Sequence, residues 1–448
     1  MPSVLWFRRD LRLSDHPALC EALADGDTIV PLFVLDPVLL GPAGGPRVKF
    51  MLDCLRSLDH DLDGNLVVRT GDPADVIPAV AREVEASAVH VSADFNPYGR
   101  RRDENVANAL GETPLRATGS PYAVSPGRVH KPDGEPYRVY TPFYRAWVEH
   151  GCPRPPQRPT TIKTVQGLQT DRLPAGPDIG HTELPAAGEE AALGRWEKFR
   201  DERLRSYAED RNRPDIPSSS RLSPYLRWGC IHPRTPLADL KGRAGKGAEV
   251  FRKELAWREF YADVLFHQPE SARENLQPRY ARLRVDSGTA ADERFTAWTT
   301  GRTGYPIVDA GMRQLRAEAW IHNRIRMVVA SFLVKDLHLG WKEGARHFMR
   351  YLVDGDLASN QHGWQWVAGS GTDASPFYRV FNPVKQGQKF DPSGDYVRRY
   401  VPELRGIEGP AVHTPWEVPD APKGYPAPIV VHDDERRDAL ERYEAIKG

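Results

Sequence analysis

Four cysteines in 448 residues, Cys20, Cys54, Cys152 and Cys230, are too few and too scattered for a disulfide framework, and none falls in the CxxC or CxxxxC spacing of a zinc site. No metal is therefore expected, and a reducing, cytoplasmic setting is. The chain also lacks an uninterrupted apolar run of membrane length, and its first residues, MPSVLWFRRDLRLSD, place charges where a secretory leader needs an apolar stretch. Net charge is missing too: Lys plus Arg and Asp plus Glu both number 61, so no overall basic excess advertises a polyanionic partner. The balance shifts along the chain, with 16 basic and 21 acidic side chains in residues 1–150 against 45 and 40 in the rest. There is no internal repeat, no lipidation motif, no GxGxxG turn and no GxxxxGK(S/T) loop, which sets aside solenoids, lipid anchors, the dinucleotide fingerprint and the phosphate loop.

What is present is length enough for two or three domains at 40% hydrophobic residues. Short apolar runs alternate with amphipathic segments at the start: VLWF, a helix over 17–24, TIVPLFVLD, a helix over 47–62, NLVVRTG, a helix over 74–85, and AVHVSAD. Strands of four to eight residues alternating with helices predict a parallel sheet covered on both faces. Asp36, Gly71, Asp72 and Asp94 fall at the carboxyl ends of these runs, the edge where such sheets take ligands. Residues 150–188 are rich in Pro, Gly and Thr and read as a linker that wraps rather than folds. After it the pattern is helical, over 196–210, 248–267, 304–320, 321–337 and 342–352.

The densest stretch is 351–366, YLVDGDLASNQHGWQW, with Asp354 and Asp356 flanking a glycine, Asn360, and Trp364 and Trp366, before a turn run AGSGTDASP. Asp-Gly-Asp is also a common turn or cap, and Trp-x-Trp a common core pattern. Together with FYRVFNP and KFDPSGDYVRRYVPEL downstream, however, DGDLASNQHGWQW resembles the flavin-binding end of the photolyase/cryptochrome family, most closely the class I cyclobutane pyrimidine dimer photolyases. The resemblance runs over nearly the whole chain. It implies a Rossmann-like parallel α/β antenna domain over 1–125, a linker over 126–195, and an all-helical domain over 196–448 that binds FAD and the DNA lesion.

The same resemblance assigns roles residue by residue. Within 206–229, Tyr207, Ser219, Ser220, Arg221, Leu222 and Ser223 match the flavin-phosphate segment; as a bare pattern PSSSRLS is also an ordinary capped loop. Along 251–268, Glu254, Trp257, Arg258 and Tyr261 share one helical face by their i, i+3, i+4, i+7 spacing. That face reads either as an ion pair with a core indole or as a site. The family implies that Glu254 is buried and donates to the pyrimidine carbonyls, that Trp257 and Trp366 wall the pocket for a flipped dimer, and that Arg258 contacts the cofactor. In AWIHNRIRMVVASF, Asn323 and Met327 match the substrate side, and Arg326 pairs with Asp354 beside the flavin. Methionine at 327 fits cyclobutane chemistry, since six-four enzymes carry a proton-transferring histidine there. Asp356 belongs to the cofactor set, and Asn360 falls where the family contacts flavin N5; plant cryptochromes resemble Asp at that place.

Trp364 and Trp341 match the first two members of the tryptophan relay that photoreduces the flavin. The third position, counted back from Trp298, falls on Gly288, and Tyr280 or another surface aromatic is the expected substitute. Gln361-His362 stands where many members read Asn-Gly, and His362 reads either as a group titrating near neutrality or, more commonly for such a histidine, as one hydrogen-bonded in place. Arg211, Arg213, Arg324, Arg379 and Lys389 are the expected DNA phosphate contacts. In the first domain, FNPYGRRRD (95–103) looks more like members that bind 8-hydroxy-5-deazaflavin than those that bind methenyltetrahydrofolate, or else is a loop entering a charged helix. The expectation is a monomeric deoxyribodipyrimidine photolyase acting on DNA with pyrimidine dimers, with no membrane partner; a cryptochrome-like photoreceptor on the same scaffold is the alternative.

Overall fold

The computed structural model describes residues 1–26, 28–372, 378–419 and 423–447; part of the turn run AGSGTDASP and the first residue of FYRVFNP lie outside them. Two compact units emerge. The first takes Met1–Ile179, Pro185–Leu204 and Ser220–Pro269, and the second takes Gly180–Leu184, Arg205–Ser219 and Glu270–Gly448.

The first unit is built on five strands, β1 (Ser3–Phe7), β2 (Ile29–Leu35), β3 (Val67–Thr70), β4 (Val89–Val91) and β5 (Leu115–Ala117). All pair parallel, in the order β3-β2-β1-β4-β5. Their crossovers carry α1 (Pro17–Asp25), α2 (Gly45–Asp61), α3 (Pro73–Glu83) and α4 (Pro97–Leu110). The apolar runs become strands because every residue of β1 and β2 is buried, as a sheet covered on both faces demands. Val4, Trp6, Val30, Leu32, Val89 and Val106 lie in one core with Ile77 and Val80 of α3. Helix starts are set by short polar caps before a proline: Asp72 accepts from the Ala74 amide at 2.9 Å and His16 from the Leu19 amide at 3.1 Å.

Strand order reverses beside β1, and the carboxyl edge there is polar. Ser92 donates to Asp10 at 2.6 Å and the Arg8 amide to the same carboxylate at 2.7 Å. The Arg8 guanidinium meets Asp103 and the Ser92 carbonyl, Arg102 meets Asp94 at 3.3 Å, and Tyr98 donates to Asp36. Burial works against the Asp94 charge, but Arg102 and Arg8 overcome it and leave its pKa at about 2. The linker forms no helix over 151–188 yet is tied down: the Ile29 amide donates to the Lys163 carbonyl at 2.8 Å, Val165 returns to Ile29 at 3.0 Å, and Asp171 donates to Val68 at 2.8 Å. The unit continues through α5 (Tyr140–His150), α6 (Glu189–Glu202), α7 (Ser223–Trp228) and α8 (Lys246–His267).

The second unit is helical: α9 (Thr289–Thr300), α10 (Pro306–Glu318), α11 (Asn323–Ser331), α12 (Trp341–Tyr351), α13 (Leu357–Ala368), α14 (Pro383–Phe390) and α15 (His432–Glu444) are its longer elements. Instead of one helix over 321–337, His322 caps α11 and a π-helical turn, Phe332–Asp336, follows it. One apolar core joins Trp298, Ile307, Val308, Ile325, Val329 and Trp364. No helix among the described residues is long and apolar enough to cross a membrane.

Candidate active site

The second unit assembles one group of the expected residues. The His322 ring accepts from the Arg324 amide at 3.2 Å, which starts α11 and places Arg324, Arg326 and Met327 on its first turns. Arg326 donates to the Ile321 carbonyl at 2.8 Å and to Asp354 Oδ2 at 2.7 Å. Asp356 caps α13 by accepting from the Ser359 amide at 3.1 Å. Asn360 follows in the first turn, buried, with its amide donating to the Ala345 carbonyl at 3.1 Å and to Gln361 Oε1 at 2.9 Å. One turn later Trp364 is buried edge-on against Phe348 and Trp298, with ring centroids at 5.0 and 6.1 Å.

Two atoms in this group are left over. Asp354 Oδ1 and Trp364 Nε1 are buried with no hydrogen-bond partner. Each such group costs about 1–3 kcal/mol, and folded proteins keep few of them. The free Asp354 oxygen can accept from an N–H such as the imide of a flavin ring, and buried Asn360 follows in the same segment, so the residues present fit FAD. Met327 and Trp366 are half-buried against the same core, and Asn323 is exposed at the start of α11.

The basic residues differ in their surroundings. Arg213 is held by Asp215, with Nε at 2.8 Å from Oδ1. Arg324 donates to Asn212 at 2.9 Å and lies 4.5 Å above the Phe390 ring; burial and the nearby Arg211 charge both pull its pKa down. Two guanidiniums that repel each other at a half-buried place are relieved by an anion such as phosphate. Arg379 and Lys389 are exposed. Tyr207 and Ser219 are half-buried in the same unit.

The remaining expected residues belong to the first unit. Ser220, Arg221, Leu222 and Ser223 precede and open α7, with the Leu222 amide donating to Ser220 Oγ at 3.4 Å. Arg221 has a left-handed backbone, φ 51°, a conformation costing about 1–2 kcal/mol for a residue with a Cβ and concentrated at ligand-clamping loops. Arg258 donates to the Pro121 and Leu226 carbonyls at 2.9 and 3.1 Å and lies 4.6 Å over the Tyr122 ring, so within this unit it ties three segments together. Glu254 is half-buried rather than buried. The buried carboxylates of α8 are Glu259 and Asp263; Glu259 accepts from Trp147 Nε1 at 2.6 Å and from the Val124 amide at 3.0 Å, and burial pushes its pKa up. Trp257 is half-buried and stacks on Tyr140. Sequence reasoning missed Glu259 and Tyr140; the signal for the first was a second acid inside an apolar helix.

The relay positions also gain neighbours. Trp341 donates to Asn275 Oδ1 at 2.8 Å and lines a cavity of about 380 Å³ shared with Tyr280, Tyr378, His338 and Arg442. Gly288 is the N-cap of α9 at φ 87° and brings no ring. Tyr280, expected as a surface aromatic, is buried, and burial followed by Tyr443 raises its pKa to about 12. Trp298, used above only as a counting mark, contacts Trp364 and donates to the Val329 carbonyl at 3.0 Å. His362 does not titrate near neutrality: burial lowers its pKa to about 4 against an opposing pull from Asp356.

Comparison with known proteins agrees with this geometry. Residues 3–160 match the family model described as DNA photolyase, and residues 251–445 the one described as FAD binding domain of DNA photolyase. A Streptomyces griseus protein named deoxyribodipyrimidine photo-lyase is 39% identical over 460 residues, covering 100% of this chain and 99% of that protein. The chain belongs to the DNA photolyase/cryptochrome family. Among solved structures, a bacterial class III photolyase from Agrobacterium tumefaciens superposes with a TM-score of 0.94 at 38% identity, covering 100% of this chain and 98% of its own. A Synechocystis cryptochrome superposes at 0.89 with 28% identity, covering 98% of each chain. The expected likeness to class I is thus not supported, because a class III enzyme aligns over its full length.

Proposed function

We propose that this chain is a deoxyribodipyrimidine photolyase that splits cyclobutane pyrimidine dimers in DNA by light-driven electron transfer. The observation that carries the proposal is the match of residues 251–445 to the FAD-binding domain of DNA photolyase, within which the Arg326–Asp354 ion pair and buried Asn360 lie. FAD, when bound, supplies the light absorption and the electron. Tyr207, Ser219, Ser220, Arg221, Leu222, Ser223, Arg258, Arg326, Asp354, Asp356 and Asn360 are assigned to hold it. Asn360 offers an uncharged amide where a carboxylate would repel electron density. Glu254 is assigned to hydrogen-bond the pyrimidine carbonyls, Trp257 and Trp366 to stack on the dimer, and Asn323 to the substrate side. Met327 has no proton to give, which favours cyclobutane dimers over six-four products. Trp364 and Trp341 are assigned to electron transfer, and Arg211, Arg213, Arg324, Arg379 and Lys389 to phosphates.

An antenna chromophore remains part of the proposal, with a deazaflavin ahead of a folate on the motif at 95–103. At that sheet edge Arg8 is paired with Asp103 and Arg102 with Asp94, and Asp36 accepts from the Tyr98 hydroxyl, so an antenna would draw much of its polar contact from other groups. The free cysteines support a reducing cytoplasm, monomeric action is retained, and 1–125, 126–195 and 196–448 remain the functional divisions. A cryptochrome-like photoreceptor is the second reading; Asn360 and Met327 speak for repair. The test is dimer splitting in ultraviolet-irradiated oligothymidine under blue light with dithionite-reduced protein. Light-dependent recovery of thymine absorbance is expected, and its absence from protein that retains FAD would turn the assignment to the photoreceptor.

A further inference from the structure

Trp257 of α8 and Tyr140 of α5 lie face to face, with ring centroids 3.7 Å apart and planes 8° from parallel. Aromatic pairs in proteins prefer offset or edge-on arrangements at about 4.5–7 Å, so so complete an overlap needs something to hold it. The support is visible. Tyr140 donates its hydroxyl to the Lys253 carbonyl at 2.7 Å, one turn before Trp257. Behind Tyr140 the rings continue with Tyr144 at 5.8 Å and 26°, and from Tyr144 to Trp147 at 6.2 Å and 21°. The ladder ends on Trp147, whose Nε1 is fixed by buried Glu259 at 2.6 Å. Phe260 closes on Tyr140 from the side at 5.8 Å and 68°.

This arrangement leaves Trp257 asymmetric. Its other ring neighbours, Phe260 and Tyr261, meet it at 73° and 46°, and neither covers the second indole face in parallel. The half-buried indole thus has one face stacked on Tyr140 and no parallel ring on the other among the described residues. Stacking of a base on an aromatic ring contributes about 1–3 kcal/mol, but a ring free to turn spends part of that on being ordered.

We propose that Tyr140 is a positioning residue for lesion recognition: by occupying one face of Trp257 it fixes the indole so that a single extruded pyrimidine dimer stacks on the other. The proposal rests on the photolyase reading above. It is tested by dark binding of FAD-loaded protein to a duplex with one thymine dimer and to the same duplex undamaged, comparing wild type with Tyr140→Phe, Tyr140→Leu and Tyr140→Ala. Near-ultraviolet circular dichroism of each protein without DNA reports the ring pair directly. Tyr140→Phe keeps the ring, still backed by Tyr144 and flanked by Phe260, but loses the bond to Lys253, and should bind the dimer more tightly than the Leu and Ala variants. Tyr140→Leu and Tyr140→Ala should lose about tenfold in dimer affinity, the lower part of the range for one stacked base, with undamaged-duplex binding and FAD content unchanged. Unaltered dimer affinity in the Leu and Ala variants overturns the proposal. So does an equal loss for both duplexes, or a loss of FAD, since either marks Tyr140 as general scaffolding. A wild type that does not distinguish the two duplexes overturns the photolyase reading itself, and this assignment with it.

Discussion

Gly344 lies directly beneath Trp364: a Cβ added there would sit 2.2 Å from the indole ring and 2.5 Å from Leu333. The position of Trp364 is therefore set by the absence of a side chain on the neighbouring helix. Gly344→Ala should displace the indole and cost about 1–3 kcal/mol through overpacking. Thermal unfolding checks the stability, and tryptophan fluorescence checks the displacement.

Asp354 holds Arg326 with one oxygen and has the other unsatisfied. Asp354→Asn keeps the shape, removes the charge and leaves Arg326 without its ionic partner. Weaker retention of FAD through gel filtration is expected, with a stability loss of about 1–3 kcal/mol. Unchanged flavin content would remove Asp354 from the cofactor set.

For Glu254, half-buried on α8, the Gln variant should still bind dimer-containing DNA but split it with a yield lower by more than a few-fold. The measurement is photons absorbed per dimer split with pre-reduced protein. A smaller loss would move the acidic role elsewhere on the helix.

His362 gives a pH prediction with a fixed sign. Its folded-state pKa of about 4 lies below the ordinary 6.5, so between those values the unfolded chain binds the proton more readily. Stability is unaffected above about pH 6.5 and falls as the pH drops towards 4, by up to about 3 kcal/mol from this group. Asp336 and Asp391, both raised to about 6 by burial, act in the opposite direction over pH 4–6. The clean readout is therefore the difference between His362→Gln and wild type, whose denaturant midpoints should diverge with the variant's falling less as pH is lowered.

Lys389 is exposed and carries no ion pair among the described residues. Lys389→Ala should weaken damaged and undamaged DNA alike and reduce the slope of log affinity against log salt by about one. A change confined to damaged DNA would place Lys389 at the lesion instead.

Much of the first unit could be read from the chain because buried parallel strands are continuous apolar runs, as IVPLFVL is. β5 escaped because Leu115–Ala117 is a three-residue edge strand that is half-buried to exposed. The acidic and aromatic residues of 351–366 were legible through resemblance, and the Arg326–Asp354 pair followed. What no local pattern carries is contact between distant segments. Tyr140 and Trp257 are far apart in sequence, and Glu254 was expected to be a buried acid of α8 when burial falls to Glu259 and Asp263, the first with partners from Ala123, Val124 and Trp147. The π-helical turn at Phe332–Asp336 leaves no mark in apolar periodicity.

The two units are not successive along the chain, since segments 180–184 and 205–219 group with the second unit before the first is complete at Pro269. On a ribosome the nascent polypeptide can close its α/β half once that residue clears the exit tunnel. The two short early pieces must then wait for Glu270–Gly448, roughly ten to forty seconds of synthesis. Cutting the gene at one point cannot yield both halves whole. An insertion meant to separate them has to respect five crossings rather than one.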